Sequence, residues 1–297
     1  MPQRILITGS DGLLAQAIKA LNPAGFELVF LTRGEFDLLN PEQMAGQLDH
    51  HKPMVVINTA AYNLVDKCEM ERDLSWAINA TGPENLAKLC AQRSIRLIHY
   101  GTDYVFDGGQ KTPYTELDQP NAINHYAAGK LAGERAVLGA DAGHLVLRTS
   151  WLFGVNPIRP QRSYIHAIIR QALEGKPIRA TTDQLAVPTY VGDLASWTFT
   201  MIQKQAAGLY HAVNDEGLSR FHWTKEILAA AKQQGVIIEA PSVEPVTTAF
   251  FNSTIRRSTY SWLSNAKLTA LLGHPLGSWK TGMEAMLRQP LWPEQGV

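Results

Sequence analysis

Five short apolar runs, separated by helical patterns, constrain this chain more than any other feature. Ile5–Ile7, Leu28–Leu31, Val55–Asn58, Leu97–Tyr100 and Leu145–Arg148 are strand-sized, and stretches between them, such as Leu74–Ala91, read as helices. Alternation of this kind implies an α/β fold with a parallel sheet and right-handed crossovers. Ligands of such sheets bind at the C-terminal ends of the strands. Gly9, Thr32, Ala60-Ala61-Tyr62, Tyr100-Gly101-Thr102 and Trp151 all fall just past those ends. Five separate segments therefore converge on one edge.

The first of them has the composition of a phosphate turn. Ile5–Ile7 runs into Gly9 and Gly12, with Ala15 at a third small position before a helical stretch reaching about Leu21. Gly9 permits the tight turn, Gly12 lets the backbone approach a pyrophosphate, and Ala15 permits close helix packing. The helix N-terminus offers free N–H groups and the positive end of its dipole. The spacing is G-x-x-G-x-x-A, whereas the common dinucleotide fingerprint is G-x-G-x-x-G; the strand-turn-helix context supports the same reading.

The second strand, Glu27–Leu31, ends in Thr32-Arg33. A hydroxyl and a guanidinium suit the 2′-phosphate of NADP, where an acid would suit the ribose of NAD. A solvated loop arginine fits the spacing as well, so NADPH is favoured and NADH stays compatible. Asp37-Leu38 lies where an adenine ring would sit, and Asp37 is equally a candidate cap for a helix starting near Asn40-Pro41-Glu42. Further on, Tyr126 and Lys130 stand four apart, one helical turn on a shared face. An ammonium beside a phenol favours its ionised form and brings its pKa down from about 10. A tyrosine so tuned can exchange a proton with an alcohol or ketone oxygen during hydride transfer. An ordinary amphipathic helix also produces this spacing, and the segments around it carry the argument.

Those segments are Asn58-Thr-Ala-Ala-Tyr-Asn-Leu-Val-Asp66-Lys-Cys-Glu69, Asn79-Ala-Thr-Gly-Pro, Gly101-Thr-Asp-Tyr-Val-Phe-Asp-Gly108, Arg148-Thr-Ser-Trp151 and Asp183-Gln184-x-x-x-Pro188-Thr189. In this order they resemble the dTDP-4-dehydrorhamnose reductase family of extended short-chain dehydrogenase/reductases. The likeness runs from the first strand to about Leu287, taking in Thr247-Thr-Ala, Arg256-Arg257 and Ser278-Trp279. It implies a Rossmann-type, doubly wound parallel sheet with a smaller C-terminal substrate lobe. It implies reduction by NADPH of the C4 ketone of a dTDP-4-dehydro-6-deoxy-sugar, with Thr102, Tyr126 and Lys130 as the catalytic trio. Cofactor contacts are expected at Gly9, Asp11, Gly12, Leu13, Leu14, Thr32, Arg33, Asp37, Leu38, Ala60, Ala61, Tyr62, Asn79, Tyr100, Tyr126 and Lys130. Substrate contacts are expected at Val65, Asp66, Thr102, Asp103, Tyr104, Trp151 and Arg256, with Arg257 an equal candidate for the diphosphate. Trp151 is expected to be a platform for the deoxysugar.

The chain departs from the family pattern at Gly101, where Ser is usual, and at Gly129, where a hydroxyl residue is usual. A helical glycine costs about 1 kcal/mol relative to alanine, so reduced order beside Lys130 is expected. Pro157–Ile165 and Arg256-Arg257-Ser258 also differ from the family. These changes leave the sugar open. Another enzyme of the superfamily, an epimerase or dehydratase, is an alternative, although Thr102-Asp103 lacks the following Glu of a dehydratase. A non-catalytic NADP-binding subunit resembling the methionine adenosyltransferase β subunit is a third reading, against which the retained trio argues.

Length and composition agree with an enzyme of small molecules. The 297 residues suffice for one large or two modest domains. Residues 1–150 are expected to form the nucleotide-binding domain, completed by a strand near 190–215 within Gly208–Asn214, and 151–297 mainly the substrate lobe. Gly154–Arg162 reads as a loop, Ser163–Leu173 as a helix and Ile178–Ala180 as a short segment. With 27 basic and 27 acidic residues the charge is balanced, which speaks against nucleic-acid binding. No apolar run is long enough for a membrane span, and the early first strand leaves no room for a signal peptide. Cys68 and Cys90 match no metal or redox spacing. The expectation is a cytoplasmic monomer or homodimer, without a metal.

Overall fold

The structure, a computed structural model, describes residues 3–159, 163–253 and 255–289. β1 (Gln3–Thr8), β2 (Phe26–Leu31), β3 (Val55–Asn58), β4 (Arg96–Thr102) and β5 (Leu145–Thr149) lie parallel, and Gly208–His211 joins them beside β5. The spatial order is Gly208–His211, β5, β4, β3, β1, β2. In the register of the centre, Ile7 lies beside Ile57 and Asn58 beside His99. The chain thus winds outward both ways from the gap between β1 and β3, which is where an open sheet binds ligands.

Strand alternation decides which helix covers which face. Ile5, Ile7, Ile57, Ile98 and Leu147 face a cluster with α1 (Leu13–Leu21). Leu6, Val56, Leu97 and Val146 face the opposite one, where α2 (Pro41–His51) contributes Met44 and Leu48. Short helices α3 (Val65–Met70) and α4 (Arg72–Trp76) follow, then α5 (Gly82–Gln92) and α6 (His125–Ala140). α5 and α6 close the second face through Leu86, Ala87 and Val137. The single helix expected over Leu74–Ala91 is instead α4, a π-helical turn at Ala77–Thr81 and α5. Pro83 offers no N–H to an α-helical ladder there. Gly82 packs so tightly that a Cβ would lie 2.8 Å from Leu38 Cβ. The wider turn buries Asn79.

Past β5 the chain leaves the sheet through β6 (Leu152–Phe153), α7 (Tyr164–Leu173), β7 (Ile178–Thr181), β8 (Leu185–Ala186) and β9 (Thr189–Tyr190). α8 (Val191–Gln203) returns to cover the first face with Leu194, Trp197 and Phe199, and leads to Gly208–His211, which is β10. β11 (Leu218–Ser219), α9 (Arg220–Gln233), β12 (Val243–Val246), α10 (Ala266–Leu272) and α11 (Trp279–Leu287) follow. Ile165, Ile169, Trp223, Ile227, Trp279 and Met286 form a separate lobe core, each such side chain contributing roughly 1.5–3 kcal/mol by leaving water. Residues 154–159 lie outside helix and strand, as expected of a loop, and residues 160–162 of that loop lie outside the described residues.

Candidate active site

At the end of β1, Gly9 takes φ +66° and its carbonyl accepts from Gly12 N at 2.8 Å. A Cβ on Gly9 would lie 3.1 Å from the Ala60 backbone, and one on Gly12 would lie 3.0 Å from the Gly9 carbonyl. The turn therefore has room for backbone alone at Gly9 and Gly12. Among the described residues no side chain caps α1 behind it, which leaves its first N–H groups to a phosphate. The residues present fit a dinucleotide diphosphate. The Leu14 side chain is in the core beside Ile18, which leaves only its backbone to a cofactor. Asp11 is tied to the lobe: its carbonyl accepts from Asn156 Nδ2 at 2.9 Å, and its carboxylate lies 3.5 Å from Arg159.

At the end of β2, the Thr32 hydroxyl and N–H both donate to Glu35 at 2.8 Å. Arg33 is exposed and only loosely paired, its Nε 3.8 Å from Asp37, which leaves its guanidinium available. Asp37 does not cap α2. Asn40 does, accepting from Gln43 N at 3.0 Å, while Asp37 accepts from Leu39 N. The Leu38 side chain is buried in the core, leaving only its backbone to a cofactor.

At the end of β3, Asn58 holds Thr8 and the Ala60 N–H through its side-chain oxygen. Asn79 reaches up from the π-helical turn and clamps Tyr62 at both N–H and carbonyl, each at 2.9 Å. Asn79 thus positions the strand-end loop, because both ends of its amide are engaged. Ala61 is exposed, and the Tyr62 hydroxyl donates to Glu71. Val65 and Asp66 open α3, and Asp66 pairs with Arg257 Nη2 at 2.5 Å.

Thr102 ends β4 rather than following it, and α6 places Tyr126 and Lys130 beneath it. Asn124 starts that helix by accepting from Ala127 N at 2.9 Å. The expected pairing of lysine with phenol is not formed. Lys130 is buried and its Nζ donates to the Tyr100 carbonyl at 2.6 Å, 3.4 Å from His99 Nε2. Burial lowers the ammonium to about 8. Tyr126 moves opposite to expectation: burial pushes its phenol well above 10, the Thr102 hydroxyl beside it pulling the other way. A phenol held in its acid form is a proton donor, which suits reduction. The Tyr100 side chain turns into the core, its hydroxyl 2.9 Å from Thr198, so only its carbonyl reaches this site.

Asp103 is buried behind Thr102, accepting from the Thr102 hydroxyl at 3.2 Å and from Ser261 at 2.5 Å. Burial raises its carboxyl to about 6, against the pull of those two hydroxyls. A cavity of about 130 Å³ opens here, lined by Asp103, Tyr104, Trp151, Gln184, Leu185, Arg220, Arg257, Ser258 and Ser261. Tyr104 meets Tyr126 edge-on, with centroids 5.7 Å apart. Arg257 lines the cavity, whereas Arg256 is exposed and its carbonyl is held by Asn124. Trp151 has φ +40°, an uncommon backbone state for a bulky residue. Its ring stacks on Trp223 at 5.5 Å and carries the Arg220 guanidinium at 3.7 Å, so seating that arginine is a second task besides lining the cavity. Gln184, Arg220 and Ser261 escaped the sequence reading. Gln184 lay within a quoted motif, but nothing in the local pattern of the other two points to the cavity.

Gly101 has a packing cause. A Cβ there would lie 3.0 Å from both Arg148 Cγ and Glu134 Oε2, members of a fully buried ion pair. Gly129 does not loosen α6, which is continuous through Lys130. Among the described residues, no three His, Cys, Asp or Glu side chains cluster to hold a metal, and no helix is long and apolar enough to cross a membrane.

The model of the RmlD substrate binding domain matches residues 3–291. The dTDP-4-dehydrorhamnose reductase of Mycobacterium tuberculosis is 33% identical, over 97% of this chain and 93% of that protein. The Escherichia coli enzyme of that name is 30% identical, over 96% and 97%. A crystal structure of dTDP-4-dehydrorhamnose reductase from Bacillus anthracis in complex with NADP superposes with a TM-score of 0.89, at 32% identity, covering 96% of this chain and 99% of that one.

Proposed function

From the premise that the chain belongs to the RmlD substrate binding domain family, we propose that it catalyses NADPH-dependent reduction of the C4 ketone of a dTDP-4-dehydro-6-deoxy-sugar. The sugar is most simply dTDP-4-dehydro-L-rhamnose, giving dTDP-L-rhamnose, and its relatives carry the name of that reaction. The observation that carries the reading is the place of Tyr126, beside Thr102 at the end of β4 and edge-on to Tyr104 of the cavity wall, on the sheet edge that also carries the Gly9–Gly12 turn.

NADPH supplies the hydride when bound at that turn. Residues 1–150 with β10 chiefly serve the cofactor, and 151–297 mainly serve the sugar nucleotide. The α1 N-terminus and the Gly9–Gly12 backbone hold the diphosphate, and Arg33 meets the 2′-phosphate. Thr102 turns its hydroxyl proton from Asp103 to the ketone oxygen as charge develops there. Tyr126 delivers the proton to the same oxygen. Lys130, fixed on the Tyr100 carbonyl, orders the ribose side of the pocket. The buried thiols of Cys68 and Cys90, neither joined in a disulfide, suit the cytoplasm.

The test is NADPH oxidation with dTDP-4-dehydrorhamnose. Tyr126→Phe removes one hydroxyl, so kcat falls roughly 10²–10⁴-fold while NADPH still binds. Turnover of the variant at the wild-type rate removes Tyr126 from the mechanism. Tight NADPH binding by the wild type with no consumption on any such sugar favours a regulatory subunit instead.

A further inference from the structure

Arg220 is the first residue of α9, and its guanidinium sits against three aromatic rings, 3.7 Å from Trp151, 4.5 Å from Tyr164 and 5.1 Å from Trp223. Tyr164 and Trp223 are themselves stacked at 5.1 Å. Among the described residues, this guanidinium makes no ion pair and no hydrogen bond. Ring faces attract the cation but satisfy none of its five N–H donors. A partly buried cation in that condition is costly unless something else meets it, and Asp103, which acts on it through charge, makes no hydrogen bond to it.

The other polar groups of the cavity are largely engaged. Ser258 donates to the Tyr260 carbonyl, Ser261 donates to Asp103, and Arg257 donates to Asp66 and Ser253. Asp103, the cavity's one acid, already accepts from Thr102 and Ser261. Gln184 uses its oxygen to accept from Thr181 at 2.9 Å, and its amide N–H groups bond nothing else among the described residues. The uncommitted groups are therefore all donors, and one is a planar charged fork. That set matches an oxyanion, which an arginine grips through two parallel N–H bonds.

We propose that Arg220, seated on Trp151, Tyr164 and Trp223, forms with Gln184 the subsite that holds an oxyanion of the substrate and so selects among sugar nucleotides. This rests on the sugar-nucleotide reading above. The oxyanion is then either the diphosphate, which every such sugar nucleotide carries, or a carboxylate at C6, which would replace the 6-deoxy sugar of that reading by a uronic acid.

Calorimetric titration of the full-length protein, saturated with NADP, separates these sources. The probes are dTDP, dTDP-glucose and dTDP-glucuronate, against wild type, Arg220→Met, Arg220→Lys and Gln184→Glu. Gln184→Glu keeps the acceptor for Thr181 and replaces the donor by a negative charge. If the diphosphate is held, Arg220→Met and Gln184→Glu weaken dTDP roughly tenfold or more, and Arg220→Lys recovers only part, since it keeps the charge and loses the fork. If a carboxylate is held, dTDP binding is unchanged, while a wild-type preference for dTDP-glucuronate over dTDP-glucose disappears in the same variants. Unchanged NADPH affinity shows that the variants are folded. The proposal is overturned if the folded variants bind all three probes as the wild type does. Arg220-dependent dTDP binding without NADPH oxidation on any 4-dehydro sugar removes the reductase reading and leaves the subsite standing.

Discussion

Asp103 shows how burial gives one residue a pH signature. Its folded carboxyl titrates at about 6 against an ordinary 3.8, so the native state binds an extra proton between those values. Its stabilising contribution is full below about 4 and is lost as the pH rises through 6, a swing of roughly 3 kcal/mol. Asp103→Asn removes that swing, so chemical denaturation at pH 4, 5, 6 and 7 should show a flatter stability profile than the wild type; an identical slope rejects the assignment. Arg33 is tested by the cofactor it prefers. Exposed and held only 3.8 Å from Asp37, it can turn to a 2′-phosphate at little cost. Arg33→Ala should weaken NADPH by about 1.5–3 kcal/mol and leave NADH nearly unchanged. Equal losses for both cofactors would assign Arg33 to the loop alone.

Within α6, two glycines one turn apart have opposite roles. A Cβ on Gly129 would make ordinary contacts, 3.4 Å from Asn79 Cβ and 3.9 Å from Trp76. One on Gly133 would collide with the Asn79 carbonyl oxygen. Gly129→Ala should therefore raise stability by roughly 0.5–1 kcal/mol, the helical gain of alanine over glycine. Gly133→Ala should lower it, since the π-helical turn must retreat and take the Asn79 clamp on Tyr62 with it. Thermal melts of the two variants decide this, and shifts of the same sign would show that the α6 contact with the π-helical turn is not the constraint. The glycine that looked like a weakness beside Lys130 is a tolerated one, and the glycine that matters carries no sequence signal.

Across the whole molecule, the strand ends and the late segments are joined by a few polar ties: Ser261 to Asp103, Arg257 to Asp66, and Asn156 to the Asp11 carbonyl. Asp66 is the solvent-facing member of its pair with Arg257, so Asp66→Asn should change stability by less than about 1 kcal/mol. It also frees Arg257 in the cavity wall, so KM for the sugar nucleotide should shift while NADPH affinity does not; a KM equal to the wild type's would place Arg257 outside substrate binding. The parallel strands, the glycine turn and the Tyr126–Lys130 spacing were legible because each follows from neighbours within a few residues: burial period, turn geometry and helical pitch. Their convergence on one edge also followed, since a parallel sheet brings all its strand ends together. The partner of Lys130, the rise rather than fall of the Tyr126 phenol, the break at Gly82-Pro83 and the presence of Gln184, Arg220 and Ser261 in one cavity did not follow. Each depends on burial and on contacts between residues far apart in the chain, such as Asp103 with Ser261. Desolvation and long-range packing arise only once distant segments of the chain pack together, so only the tertiary structure could decide them.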